Sequence, residues 1–173
     1  SWLKSWFSAS SLRFAQAIRK AVDPEVVGKI VGCDAYSPCH LEPHHPDLFW
    51  YGIHGVEILY AAMGPGCESV TRISTPDTDF VVGRWKDGRI GTFRGTRSGN
   101  GQYGCTVFGE KAVTNGQGHD YGGLVAEIVK FFKTDVPPVA PEETLELLAF
   151  MEAADTSKER GEVPVPLPDH SID

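Results

Sequence analysis

Between Glu68 and Thr114 the chain changes character, and that stretch limits the available folds more than any other part of the sequence. Val70–Ser74, Asp79–Trp85, Arg89–Thr96 and Tyr103–Phe108 are rich in β-branched and aromatic residues and are separated by turn formers. Lys86-Asp87-Gly88, between the second and third runs, is a strong hairpin signal because Asp-Gly readily takes the positive φ of a tight turn. Lys111–Thr114 adds a short fifth run. The expected arrangement is an antiparallel meander.

Helical patterns lie on both sides of it. Leu12–Val22 carries Leu12, Ala15, Ile18 and Arg19 at helical spacing, with Ser10-Ser11 as its cap and Pro24 as its stop. Val26–Tyr36 reads as a strand, and Ser37–Asp47 as a loop rich in Pro and His. A helix over Leu48–Met63 is ended by Gly64-Pro65-Gly66. Downstream, Tyr121–Lys133 places Leu124, Val125, Ile128 and Phe132 at helical spacing. Pro137 and Pro138 break the chain, and Pro141-Glu142-Glu143 opens a last helix to about Arg160. Val163–Leu167 suits an edge strand, where Pro164 and Pro166 are tolerated. The expected class is α+β: a large, mainly antiparallel sheet with helices on one face. At 173 residues this is one domain over residues 10–168, with tails at 1–9 and 169–173.

The net charge of -7 argues against nucleic acid or an anionic membrane surface as principal partner. The most apolar stretch, 48–64, is interrupted by His54 and Glu57, so no span crosses a membrane. Residues 1–8 hold no apolar run long enough for a signal peptide. Four cysteines without a C-x-x-C pair read as free thiols in a reducing compartment. A cytoplasmic location is the expectation, for a chain that lacks an initiator Met and is either processed or part of something longer.

Four motifs bear on chemistry. Gly99-Asn100-Gly101-Gln102-Tyr103-Gly104 matches the dinucleotide fingerprint in letters. That fingerprint needs a helix after it, whereas Cys105-Thr106-Val107-Phe108 reads as strand, so the run is expected to be a hairpin loop. Cys33, Cys39, His40, His44 and His45 are five soft-metal donors, but in the irregular spacing C-x₅-C-H-x₃-H-H. No metal site is expected there, and His44 and His45 become candidate ligand contacts on a loop stiffened by Pro43 and Pro46.

The helix over Leu48–Met63 is the most informative segment. Phe49, Ile53, Val56, Tyr60 and Met63 form one stripe, the expected core face, and Trp50, His54, Glu57 and Ala61 form a second. His54 and Glu57 are i, i+3 neighbours, so the carboxylate can raise the imidazole pKa, and the two make a candidate proton-transfer pair. A helix-surface salt link is the bland alternative. His119 precedes Asp120, a good N-cap, and is a further candidate for facing a cleft.

The order of these elements resembles the C-terminal half of the Gfo/Idh/MocA oxidoreductases. The resemblance rests on Ser11-Leu12-Arg13-Phe14-Ala15, Gly28-Lys29-Ile30, Tyr51-Gly52-Ile53-His54-Gly55-Val56-Glu57, and the ending from Pro137 to Glu146 with its helix and short strand. It covers about Ser10 to Leu167. It implies a domain that binds substrate and supplies the oligomer interface, joined in the parent to a Rossmann domain that binds NAD or NADP. No cofactor is expected on this chain, which carries neither a glycine fingerprint in a βαβ unit nor the family's Glu-Lys-Pro motif. His54 matches the histidine of the family's Asp-x-x-x-His, but Trp50 stands at the aspartate position.

The resemblance therefore implies His54 and Glu57 as catalytic residues, with Trp50, Tyr51, His44, His45 and His119 around the substrate. A sugar, polyol or related hydroxy compound would be that substrate, and a second copy on the open sheet face the partner. The alternatives are a non-catalytic carbohydrate- or partner-binding module, and a metal-dependent lyase or hydrolase using the Cys33–His45 loop.

Overall fold

The computed structural model describes residues 10–168, so the tails expected at 1–9 and 169–173 lie outside the described residues. Along the chain come α1 (Gln16–Ala21), α2 (Pro24–Val27), β1 (Ile30–Pro38), a 3₁₀ turn (Asp47–Phe49) and α3 (Gly52–Met63). After them come β2 (Cys67–Ser74), β3 (Thr78–Trp85), β4 (Ile90–Thr96), β5 (Gly104–Gly109), β6 (Val113–Gln117), α4 (Tyr121–Thr134), α5 (Pro141–Glu159) and β7 (Val165–Pro166). The fold is α+β, and its seven strands form one sheet in the order β6-β5-β1-β4-β3-β2-β7.

The expected meander holds for β2, β3 and β4, which pair antiparallel. Asp87-Gly88 makes the hairpin turn: Gly88 has a φ of 88°, and the Trp85 N–H donates to the Arg89 carbonyl at 2.9 Å. After β4 the expectation fails. β1 inserts between β4 and β5, parallel to the first and antiparallel to the second. Residues 99–104 are therefore not a hairpin loop, because the chain there crosses over β1 to reach β5. The buried Cys33, Ala35 and Ser37 of β1 show why it is central: its inner face needs cover and both its edges need partners.

Three helix boundaries also differ from expectation. The first helix begins at Gln16 rather than Leu12, because the Ser10 N–H is given to the Glu57 carboxylate and the Ser11 carbonyl accepts from Asp120. Val26 and Val27 are not strand: Asp23 accepts the Glu25 N–H and Pro24 occupies the first turn, so the proline expected to stop one helix starts α2. The helix from Leu48 is interrupted at Trp50 and starts again at Gly52.

The helices cover one face of the sheet, α3 over β1 and β4, α5 over β2, and α1 over β6. α3 lies very close to the strands, since a Cβ on Gly55 would fall 2.2 Å from the Phe93 ring. Val56, Tyr60 and Met63 are buried as the core stripe requires, while Phe49 and Ile53 are half-buried. Ile58, Leu59 and Glu57 are buried too, so α3 is not a two-striped surface helix. The other sheet face carries half-buried Phe80, Val82 and Phe108 and exposed Ile73, Ile90 and Val113. Among the described residues no helix is long and apolar enough to cross a membrane.

Candidate functional site

His54 sits in the first turn of α3, half-buried, where the Gly55 contact presses the helix onto the sheet. Tyr51 and Tyr103 flank it edge-on, with ring centroids 6.4 and 6.0 Å away. Its Nδ1 is buried and has no hydrogen-bond partner among the described residues. Burial lowers the imidazole pKa below its ordinary 6.5, and the nearby Glu57 charge offsets this only in part. Glu57 does raise the imidazole pKa as expected, but desolvation, which the sequence did not show, outweighs one carboxylate and the net shift is downward. Near neutral pH His54 is an uncharged base.

Glu57 is neither the surface partner nor the hydrogen-bonded partner of His54. Its side chain accepts the Ser10 N–H at 2.6 Å, tying the entering chain to α3. Its effect on His54 is electrostatic.

The aromatic rings continue outward. Trp50 lies 6.0 Å from Tyr51, His45 lies 4.9 Å from Trp50, and His40 meets Tyr51 edge-on at 5.3 Å. Trp50 is not on the helix, so it does not stand one turn before His54 as the continuous stripe required; its ψ of -91° turns the chain into α3. His44 is exposed on the same loop, apart from this series of rings. His119 is exposed beside Tyr121, at 5.9 Å. Tyr121 reaches the site through Tyr103, whose phenol pKa is raised by burial and then by Tyr51 and Tyr121. Tyr103, Tyr121 and His40 are the members that sequence reasoning did not single out for substrate. Tyr103 was hidden inside the misleading glycine run.

A buried ion network fixes the loop that carries these rings. Arg72 on β2 is fully buried and donates to Asp79 at 2.8 Å, to Asp47 at 3.0 Å and to Asp155. Arg97 and Ser74 also reach Asp79, and Lys158 reaches Asp47. Burial would push the Asp47 carboxyl up, but Lys158 and Arg72 outweigh it and hold the pKa below its usual value. Asp47 is thus anchored from β2 and α5 at once, and the 3₁₀ turn leading into Trp50 is pinned against the sheet.

Cys33 and Cys39 are buried on the inner side while His44 and His45 face outward, so the five donors do not converge. Among the described residues no three His, Cys, Asp or Glu side chains are placed to hold a metal ion. Clefts of about 580 and 500 Å³ lie elsewhere, the first at Ser74, Arg97 and Lys158 and the second between α1 and α4. Neither contains His54, which lies beneath a partly open wall of rings.

No family model matches the chain, and no curated protein matches it in sequence. Solved structures do match it in three dimensions. A probable dehydrogenase from Thermotoga maritima superposes with a TM-score of 0.72 at 20% identity, over 90% of this chain and 63% of that one. A myo-inositol dehydrogenase from Lactobacillus casei, solved with NAD(H) and myo-inositol, gives 0.70 at 13% identity over 93% and 61%. The WlbA dehydrogenase from Bordetella pertussis, solved with NADH and UDP-GlcNAcA, gives 0.67 at 19% identity over 95% and 64%. This chain thus spans less than two thirds of the length of each. At these identities the likeness shows the fold, which is that of the Gfo/Idh/MocA-type dehydrogenases.

Proposed function

We propose that the chain is the substrate-binding and oligomerisation domain of an NAD(P)-dependent oxidoreductase acting on a sugar, polyol or related hydroxy compound. The observation that carries this reading is His54: a neutral imidazole with an unpartnered buried Nδ1, ringed by aromatic side chains, on a fold shared with dehydrogenases. Such a base can take the proton of a substrate hydroxyl, and the Glu57 charge stabilises the imidazolium that results. Trp50, Tyr51 and Tyr103 would present ring faces and edges to the C–H surface of a cyclic polyol, with His45 beside Trp50 at the rim and the exposed His44 and His119 as outer contacts for a larger substrate.

The Gly99–Gly104 run does not fit a dinucleotide. Gly99–Gly104 runs directly into β5, so no helix N-terminus meets the glycine turn. NAD or NADP would be held by the part of the parent beyond this fold, where it supplies the acceptor for hydride. A second copy would sit on the outer sheet face around Ile73, Ile90 and Val113.

The non-catalytic binding module stays as second reading because Trp50 occupies the position where the family resemblance implies an aspartate. Polyol-dependent reduction of NAD or NADP by the full-length protein that contains this chain tests the two. Turnover supports the enzyme. Carbohydrate binding without turnover, for every polyol tried with either nucleotide, supports the module.

A further inference from the structure

The loop that leads into α3 keeps aromatic surface in water and holds it still. Trp50 is 44% exposed and Tyr51 36%, and the imidazoles of His40 and His45 beside them are exposed as well. Between these rings the loop is anchored. Cys39 and Leu48 are fully buried, the Cys39 N–H donates to the Thr96 carbonyl at 2.8 Å, and Asp47 is held by Arg72 and Lys158. A loop fixed in this way has already met the ordering cost that binding would otherwise impose.

The rings also run in series from the base. Tyr51 follows His54 at 6.4 Å, Trp50 follows Tyr51 at 6.0 Å, and His45 follows Trp50 at 4.9 Å. A sugar ring whose hydroxyl meets His54 would be flanked by Tyr51 and Tyr103, as His54 is, and would reach the near edge of Trp50. The outer part of the indole and His45 gain only from a ligand that continues outward.

The chemistry of the loop limits what that continuation is. Residues 39–51 contain no lysine or arginine, and the cations that reach the loop, Arg72 and Lys158, are spent on Asp47. A phosphate or carboxylate group would find no Lys or Arg counter-charge among the loop's own residues. The C–H face of a neutral ring, by contrast, suits an indole with an imidazole beside it.

We infer that the substrate is a neutral glycoside of at least two rings, with the ring next to the reacting sugar seated on Trp50 and His45. The inference rests on the proposed reading of His54 and its rings as the place where the sugar is held. Another sugar and a flat aromatic aglycone offer the same apolar face, and the test separates them.

Initial rates of the full-length protein that contains this chain, with NAD and with NADP, provide that test. The substrates are methyl β-glucoside, cellobiose and 4-nitrophenyl β-glucoside, with their galacto and manno counterparts. The two-ring compounds should exceed the methyl glycoside in kcat/KM by about tenfold, mainly through a lower KM. Trp50→Ala should bring that ratio to about one, and Trp50→Phe, which keeps a ring, should retain most of it. Because the ratio is taken within one variant, it does not depend on how much of that variant is folded. Cellobiose ahead of the nitrophenyl glucoside assigns the outer place to a sugar, and the reverse order assigns it to an aromatic aglycone.

Equal kcat/KM for one-ring and two-ring compounds in the unsubstituted protein overturns the inference, as does an advantage that survives Trp50→Ala. If no compound is oxidised, the enzyme reading fails separately, and calorimetry with the same pairs decides. Two-ring compounds bound about tenfold tighter than the methyl glycosides, with the difference lost in Trp50→Ala, uphold the inference. Equal affinity, or no binding by any of them, overturns it.

Discussion

Replacing Arg72 with Met should cost the domain about 3 kcal/mol, through charges left behind rather than volume lost. Arg72 is fully buried and serves Asp79, Asp47 and Asp155. Breaking a buried ion pair by removing one member typically costs about 3–5 kcal/mol. The lower end applies because Asp79 keeps Arg97 and Asp47 keeps Lys158. Asp155 loses most, since only the field of Lys158 then remains to favour its charged form. With an ordinary urea slope of about 1–3 kcal/mol per molar, the midpoint should fall by about 1–3 M without a change in slope.

The sign of the pH dependence is fixed by Asp155, whose carboxyl burial already pushes up to about 6 against the pull of Arg72. Without Arg72 it rises further. A folded-state pKa above the unfolded value means that the folded state gains protons on acidification, so the Arg72→Met deficit should shrink as the pH falls from 8 to 5. Freed from Arg72, the turn at Asp47 should also loosen the Trp50 and Tyr51 rings. Urea titrations at the two pH values decide the matter. A deficit below about 0.5 kcal/mol, or one that grows on acidification, refutes the reasoning.

His54 should titrate below 6.5 in a histidine NMR experiment, and Glu57→Gln should lower it further by removing the charge that opposes desolvation. Because the folded-state value lies below the unfolded one, the stability that His54 withholds appears between them: stability rises with pH through this window and is lost as pH falls. Gly55→Ala should lower the melting temperature. Its Cβ would lie 2.2 Å from the fully buried Phe93 ring, and about 1–3 kcal/mol of overpacking exceeds the roughly 0.5–1 kcal/mol helix gain. Analytical ultracentrifugation should find self-association that Ile90→Arg weakens, since Ile90 is exposed on the outer sheet face; a monomer well above micromolar concentration would count against that interface.

Strands β2 to β5 were legible because period-two patterning and turn chemistry are local signals, and Asp87-Gly88 placed a hairpin to the residue. The slot of β1 was not legible. Alternation shows which side of a strand is buried and says nothing about which strand lies beside it. Pro24 misled for a related reason: after Asp23 the same residue that ends one helix begins another, and only the Asp23 carboxylate accepting the Glu25 N–H distinguishes the two. The break at Trp50 comes from Arg72 and Lys158 seizing Asp47 across the fold, which no window around Leu48 contains. His54 was visible as a polar residue on an apolar helix. Its neighbour Tyr103 was not, because contact across α3 and the start of β5 depends on β1 bringing β5 under the helix.

The most direct test of the proposed role of His54 is kinetic, in the full-length parent with its preferred polyol and nucleotide. His54→Ala and His54→Asn should each lower kcat/KM by about two to four decades, most of it in kcat, with an unchanged circular dichroism spectrum. The pH limb set by His54 should vanish with them. Normal turnover in His54→Ala, with the wild-type pH profile intact, would contradict the assignment of this residue as the base.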